Sequence, residues 1–373
     1  MSAILNILKS RPIVVQTTSL PGRTVLTETG EMLWFSGTAY LGMGHVPAFQ
    51  QLLREGLSQA GSTWGSSRHN TVRLAVYAEA EGALADFVGA PAALTVSSGM
   101  LAGRVVAADF SPQATVFYAP GVHPALWGTD YRPAEEPVGP WWERLPERVA
   151  ACDADEIVIA TDSVGSPHTG RVPLERLGDL PADKKVTVVV DDSHGLGIFG
   201  EKGAGVYQTL ARVIKRNAAR PHHKMLVISS LNKALGVPAG AIFSDGKTID
   251  KLRHSPWFGG SSPAVPGAMW ALTRAFELYR EQHAKLLRNT RFFVETLGET
   301  IHHFCWMPDY PAFTTTAEGF HQFLAENGIL TASFPYPTPA DPPITRLVVS
   351  ALHTFGDLEL LAQTCRNFFH PKP

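Results

Sequence analysis

Apolar and polar positions along this chain fall into two textures, with the change near residue 265. Before it, short continuous apolar runs alternate with stretches of helical spacing. The runs Ala93–Val96, Thr115–Tyr118, Glu156–Ala160, Val186–Val190, Met225–Ile228 and Ala241–Phe243 carry few polar interruptions. Strands covered by helices on both faces have this pattern, whereas a face open to water would give strict alternation. His45 to Ala60 starts beside Pro47 and carries Phe49, Leu52, Leu53 and Leu57 at helical spacing. Val72 to Val88 reads as a long helix stopped by Gly89, a residue suited to a helix C-terminus. The alternation predicts an α/β fold with a large, doubly wound, mostly parallel sheet, and ligands at the carboxyl ends of its strands.

Beyond residue 265 the spacing predicts one long helix over Ala268–Phe293, a helix over Glu318–Asn327, strands at Leu330–Phe334 and Arg346–Val349, and a closing helix over Asp357–Phe368. The expected organisation is a large domain at 45–265 and a small α+β domain at 266–373. Residues 1–44, with extended segments at Thr24–Leu26 and Met32–Phe35, join the small domain. Tyr131 to Arg148, rich in Pro, Glu and Trp, reads as an irregular connection, and Pro335 to Pro343 as a loop.

Composition narrows the function classes. The chain is 45% hydrophobic and 18% charged, which describes a soluble globular protein with a substantial core. Thirty-two basic residues against 34 acidic ones leave a formal charge of −2, which argues against nucleic acid or a membrane surface as partner. Cys152, Cys305 and Cys365 form no C-x-x-C pair, so reduced thiols are expected and no metal site. The short N-terminal apolar stretch precedes Lys9 and Arg11, the wrong order for a secretion signal, and the expected location is cytoplasmic.

Four features fall at expected strand ends. Lys233 follows the Met225–Ile228 run inside Ser229-Ser230-Leu231-Asn232-Lys233-Ala234-Leu235-Gly236. An amine there is placed to reach an aldehyde in a cleft, although most lysines are simply solvated. Asp191 ends the Val186–Val190 run, and His194 follows three residues later. Read alone, that pair is equally an N-cap and a surface histidine. Ser98-Gly99-Met100 lies between a strand and a helix, where backbone N–H groups hold phosphates. His123 follows the Thr115–Tyr118 run. Together the four match what pyridoxal 5′-phosphate needs: a lysine for its aldehyde, a carboxylate for its ring nitrogen, a phosphate cradle and a flat partner for the ring.

Here the chain resembles the α-oxoamine synthases, a group of fold-type I pyridoxal-phosphate enzymes. The residues that carry the resemblance are Tyr40-Leu41-Gly42 with His45 and Pro47, Ser97-Ser98-Gly99, and Asp191-Asp192-Ser193-His194-Gly195-Leu196-Gly197 with Gly200-Glu201-Lys202-Gly203-Ala204-Gly205. Lys233-Ala234-Leu235-Gly236 and Arg346–His353 complete it, so the match spans about Trp34 to Leu361. The resemblance implies that Lys233 binds the cofactor as a Schiff base and then moves the α-proton, that Asp191 pairs with the ring nitrogen, and that His194 reaches the ring hydroxyl oxygen. It places His123 on the ring face, and Ser98, Gly99, Met100 and Ser230 around the phosphate. Ser166 lies beside the cofactor, and Arg346 clamps the amino-acid carboxylate. It further implies a homodimer with the site at the interface, where Ser261, Ser262 and Arg68 reach the neighbouring subunit's phosphate.

The expected reaction condenses a small amino acid with an acyl-CoA or acyl-carrier thioester, with decarboxylation. An aminotransferase or an aldolase/lyase of the same fold is the alternative, and a cofactor-binding protein without catalysis is a third reading. Departures from the family pattern fall around substrate recognition. Thr38-Ala39 replaces an asparagine before Tyr40, which makes Thr38 a substrate-binding candidate, and Trp64 adds bulk in the loop before Arg68.

Overall fold

The computed structural model describes residues 14–28, 30–165, 169–215, 222–335 and 341–371. Their contacts divide into two units, the described residues of 45–165 and 170–283 forming one, and those of 14–44, 169 and 284–371 the other.

The first unit is built on a six-stranded sheet. Its order is Ala92–Val96, Gly240–Ser244, Lys224–Ser230, Val186–Asp191, Ile157–Asp162, Thr115–Tyr118. Gly240–Ser244 runs antiparallel to both neighbours, and the remaining pairings are parallel. The apolar runs of the sequence are these strands. Val158, Ala160, Val189, Leu226, Ile228 and Ile242 from four of them are buried in a core with Val105 and Val106 of the helix Gly99–Ala107. Each such valine, leucine or isoleucine contributes ~1.5–3 kcal/mol by leaving water.

The division between units falls at 283/284 and not at 265/266, for a packing reason. The helix Pro266–Leu272 lies against Pro47–Ala60, where a Cβ on Gly56 would come 2.1 Å from the Gly267 carbonyl oxygen. Two glycines let the backbones touch and hold that helix to the sheet unit. The continuous helix expected over Ala268–Phe293 is therefore two, Pro266–Leu272 and Phe276–Leu297. The break is a turn in which the Thr273 hydroxyl bonds the Trp270 carbonyl at 2.8 Å. The connection expected to be irregular over Tyr131–Arg148 holds a helix, Val138–Ala150. Its prolines hid an amphipathic spacing, since Trp141, Trp142, Leu145 and Val149 are buried on one side. The helix expected from Val72 begins at Ala75.

The second unit contains an antiparallel sheet in the order Ala312–Thr315, Pro343–Val348, Ala332–Pro335. A hairpin of Thr24–Thr27 and Gly30–Trp34 is extended by Ile329–Leu330, so the N-terminal strands belong to this unit. Phe35, Phe293, Phe313, Phe320, Leu347 and Leu361 are buried together in its core. The Pro-rich loop expected over Pro335–Pro343 lies largely outside the described residues. Among the described residues no helix is long and apolar enough to cross a membrane.

Candidate active site

Five parallel strands deliver their carboxyl ends to one edge of the large sheet, and the candidate residues of this unit gather there. Asp191 is the last residue of Val186–Asp191 and is 6% exposed. Its Oδ1 accepts the Ser193 N–H at 2.9 Å, while Oδ2 lies 3.7 Å from Nδ1 of His123. His123 caps a short turn after the Thr115–Tyr118 strand, and its Nδ1 accepts the Ala125 N–H at 3.2 Å. That bond requires an unprotonated nitrogen. Burial agrees, pushing the His123 pKa down with the help of the Lys233 charge and against the pull of Asp191.

Lys233 is half-buried in the turn that leaves Lys224–Ser230. The turn is closed by the Leu231 N–H on the Ala239 carbonyl at 2.9 Å and the Val237 N–H on the Leu231 carbonyl at 3.0 Å. Gly236, at φ +66°, makes the reversal. The ammonium charge acts on both His123 and Asp162, which sets the amine among the strand-end acids.

A cradle for an anion sits beside it. Ser98 caps the helix Gly99–Ala107, its hydroxyl accepting the Leu101 N–H at 3.1 Å. The first amides of a helix have no partner within it, so those of Gly99 and Met100 are available to a ligand. A Cβ on Gly99 would lie 2.6 Å from the Ser230 Cβ, and one on Gly240 would lie 2.2 Å from the Ser98 carbonyl oxygen. Only glycine lets this helix start approach the Lys233 strand so closely. Met100 is exposed, so its backbone and not its side chain faces this role.

Two glycines of the Asp-Asp-Ser-His-Gly signature and its sequel, Gly195 and Gly205, have a common cause. Asp192 is 2% exposed, and its Oδ2 accepts the Val206 N–H at 3.0 Å. A Cβ on Gly195 would sit 2.0 Å from Asp192 Oδ1, and one on Gly205 2.2 Å from Oδ2. The two glycines pack on a buried carboxyl whose pKa burial pushes up to about 7. Ser193 then passes the order on, its hydroxyl accepting the Ser230 N–H at 2.7 Å.

With this geometry in place, comparison with known proteins becomes informative. The family model described as "Aminotransferase class I and II" matches residues 31–364. The chain belongs to this family. Among curated relatives, 8-amino-7-oxononanoate synthase of Nitrosomonas eutropha is 26% identical over 348 residues, covering 89% of this chain and 88% of that protein. The same-named protein of Methylobacterium nodulans is 28% identical over 341 residues, covering 88% and 85%. Among solved structures, Sphingomonas wittichii serine palmitoyltransferase superposes with a TM-score of 0.81 at 18% identity, covering 98% of this chain and 94% of that one. An SPT structure with PLP gives the same TM-score of 0.81 at 19% identity, with 98% and 94% covered. The architecture is therefore the fold-type I, aminotransferase-like one.

The other residues expected at the site have settings of their own. Ser166 lies outside the described residues. His194 is half-buried in the turn after Asp191. Ser261 donates to the Trp257 carbonyl at 2.5 Å, and Ser262 is exposed. Arg346 and Thr38 belong to the other unit. There Arg346 Nη2 donates to the Gly37 carbonyl at 3.3 Å, next to Thr38, while its buried Nε has no hydrogen-bond partner among the described residues. Its charge also acts on the buried Tyr40 hydroxyl, whose pKa burial drives up.

Arg68 has partners inside its own unit. It is committed within its own unit to Glu81 at 2.6 Å and the Thr95 carbonyl at 3.1 Å, with its guanidinium 4.4 Å from the Tyr77 ring centre. Arg253 binds the same Glu81 at 2.6 Å, and the two cations hold its carboxyl below the usual range against burial. Trp64, Arg68 and Arg253 line a cleft of about 420 Å³ that none of the strand-end residues shares. Trp64 thus belongs to that cleft in this unit.

One residue escaped the sequence reading of the site. Asp162 ends the Ile157–Asp162 strand directly across from Asp191 and accepts the His123 N–H at 3.1 Å. Its only sequence signal is an acid at the end of an apolar run, the same signal that drew attention to Asp191.

Proposed function

We propose that this protein is an α-oxoamine synthase-type acyltransferase that joins a small amino acid to an acyl thioester and releases the thiol and carbon dioxide. The observation that carries the reading is the convergence of Lys233, Asp191 and His123 beside the Gly99 helix start at one sheet edge. The cofactor is pyridoxal 5′-phosphate, and the donor set fits it. A buried carboxylate, an amine, a neutral imidazole and a capped helix start with close-approach glycines meet its ring nitrogen, aldehyde, ring face and phosphate. When bound, the cofactor supplies an aldehyde for amines and an electron sink for the α-carbon.

Each residue of the chain then has a task. Lys233 would hold the cofactor's aldehyde group through Nζ, and its amine would carry the substrate's α-proton as base and then acid. Asp191 would face the ring nitrogen, and His194 would serve the ring hydroxyl oxygen. His123, kept neutral, presents a flat face without adding a competing positive charge. Ser98, Ser230 and the Gly99 and Met100 amides take the phosphate, with Ser166 at the cofactor's side. Arg346 is the carboxylate clamp, its unpartnered Nε suited to one oxygen of a bidentate pair. Thr38 lies next to the Gly37 carbonyl that Arg346 bonds and tunes which amino acid is accepted. In a homodimer, Ser261 and Ser262 extend to the partner's phosphate.

Borohydride reduction followed by peptide mapping tests the anchor. The adduct is expected on the peptide containing Lys233 and absent from Lys233→Ala, whose turnover falls by at least ~10²-fold, the scale of general acid–base catalysis. An adduct that persists in Lys233→Ala overturns the assignment. Mixing the loaded enzyme with glycine, alanine or serine and an acyl-CoA should release free thiol in step with amino ketone. Keto-acid exchange without thiol release would instead make it an aminotransferase.

A further inference from the structure

Three acids stand at the carboxyl edge of the large sheet, and the proposed function uses only Asp191. Asp192 is bound into the signature loop through the Val206 N–H and the two glycines. Asp162 is different: it is a strand terminus like Asp191, in register with it on the adjacent parallel strand. Its Oδ1 accepts the backbone N–H of His123 at 3.1 Å, although 39 residues separate the two in sequence. Within the loop the Ala125 N–H bonds Nδ1, the Val122 N–H bonds the Ala119 carbonyl at 3.1 Å and the Leu126 N–H bonds the His123 carbonyl at 3.0 Å. The Ala119 N–H also reaches this strand, bonding the Ala160 carbonyl at 2.9 Å four residues earlier, but the link to Asp162 is made at His123 itself and fastens the far part of the loop to the strand beside Asp191.

We infer that Asp162 is a positioning residue, whose carboxyl oxygen anchors the His123 backbone and so sets the imidazole 3.7 Å from Asp191 and against the cofactor ring. The inference rests on the strand-end site being the cofactor site. It assigns the tether, and not a negative charge, as the contribution of Asp162. The groups facing it are Asp191 on the neighbouring strand, His123 on the preceding loop and Lys233 on the following turn. Burial and the Asp191 charge push its pKa well up, the His123 N–H and the Lys233 charge opposing them. A second full anion beside Asp191 is unfavourable for that reason, whereas a neutral acid still accepts one N–H.

Two substitutions separate tether from charge. Asp162→Ala removes the acceptor. Asp162→Asn keeps an oxygen acceptor without ionising. In the loaded enzyme the pH profile of the cofactor's visible absorbance, and cofactor retention on dialysis, report the ring's surroundings. Hydrogen exchange at the His123 amide reports the tether with or without cofactor. Asp162→Ala is expected to weaken cofactor retention about tenfold, the scale of one lost buried hydrogen bond, and to shift the absorbance profile. It should also lose protection at His123. Asp162→Asn is expected to rescue all three.

If Asp162→Asn is as damaged as Asp162→Ala, the charge matters and the inference falls. It also falls if Asp162→Ala behaves as wild type. Should Ala not fold, Asn alone decides, because only the tether survives in it. Failure of the wild-type protein to take up cofactor would overturn the proposed function, while the exchange measurement at His123 still judges the tether.

Discussion

The strand-end carboxylates of the large sheet and Asp357 of the other unit are used in opposite ways. At the edge of the large sheet, Asp162 and Asp191 face each other across adjacent strands, and Asp192 follows immediately. Burial drives Asp162 and Asp192 toward their protonated forms. In the other unit, Asp357 is also nearly buried but fully engaged. Arg23 gives it two bonds of 2.7 Å, and the Thr354 N–H a third at 2.8 Å. These partners hold the Asp357 pKa below the usual carboxylate range despite burial. Thr354 completes a capping box at the start of Phe355–Phe369. One arrangement crowds charge where a ligand would use it. The other neutralises charge to begin a helix. The difference teaches that buried acids left short of cations mark a site, whereas saturated ones mark architecture.

The contrast can be broken in three places. The largest effect is expected for Asp191→Asn, with turnover falling by ~10²-fold or more, the scale of losing one preorganised charged partner. Its thermal midpoint should hold or rise, because crowding with Asp162 and Asp192 is relieved. Steady-state rates beside a melting curve check this, and a fall in both together would erase the distinction between the regions.

Asp357→Asn should do the reverse, leaving rates alone and costing about 1–3 kcal/mol in denaturant unfolding through lost charge-assisted bonds. Because the folded pKa of Asp357 is depressed, its contribution is present above the unfolded value of about 4 and disappears as pH falls through the folded value. The variant should therefore show a shallower loss of stability on acidification.

Asp192→Asn is expected to leave the rates alone and to change how stability depends on pH. The folded pKa is raised to about 7, so the stabilisation is complete below about 4 and is lost as pH rises through 7. Unfolding free energy measured between those limits should lose a slope of at most ~1.4 kcal/mol per pH unit in the variant. An unchanged slope would show that Asp192 titrates normally.

Much of this was legible along the chain, for identifiable reasons. The strands of the large sheet were visible because most are buried on both faces and therefore written as nearly unbroken apolar runs, and the edge strand Thr115–Tyr118, only partly buried, is still mainly apolar. Gly89 announced its helix end and sits at φ +73°. The helix Val138–Ala150 was not legible, because Pro140 and Pro146 dominate a local reading while burial of Trp141, Trp142, Leu145 and Val149 decides the outcome. The pairing of Arg68 was not legible for a related reason. An arginine in a small-residue loop looks free until Glu81, 13 residues on and a helix away, takes it.

By itself the sequence determined the class of fold, the strand-end positions of Asp191 and Lys233, and the glycine pattern around them. Those properties are local: periodicity, a breaker after a run, a small residue where the backbone must turn. Only the tertiary structure decided that Asp162 stands opposite Asp191 and holds His123. It also decided that Gly195 and Gly205 lie against the carboxyl of Asp192, and that Arg68 and Arg253 share Glu81. Register and close approach between distant segments set these contacts, and neither is written in the spacing of any one segment.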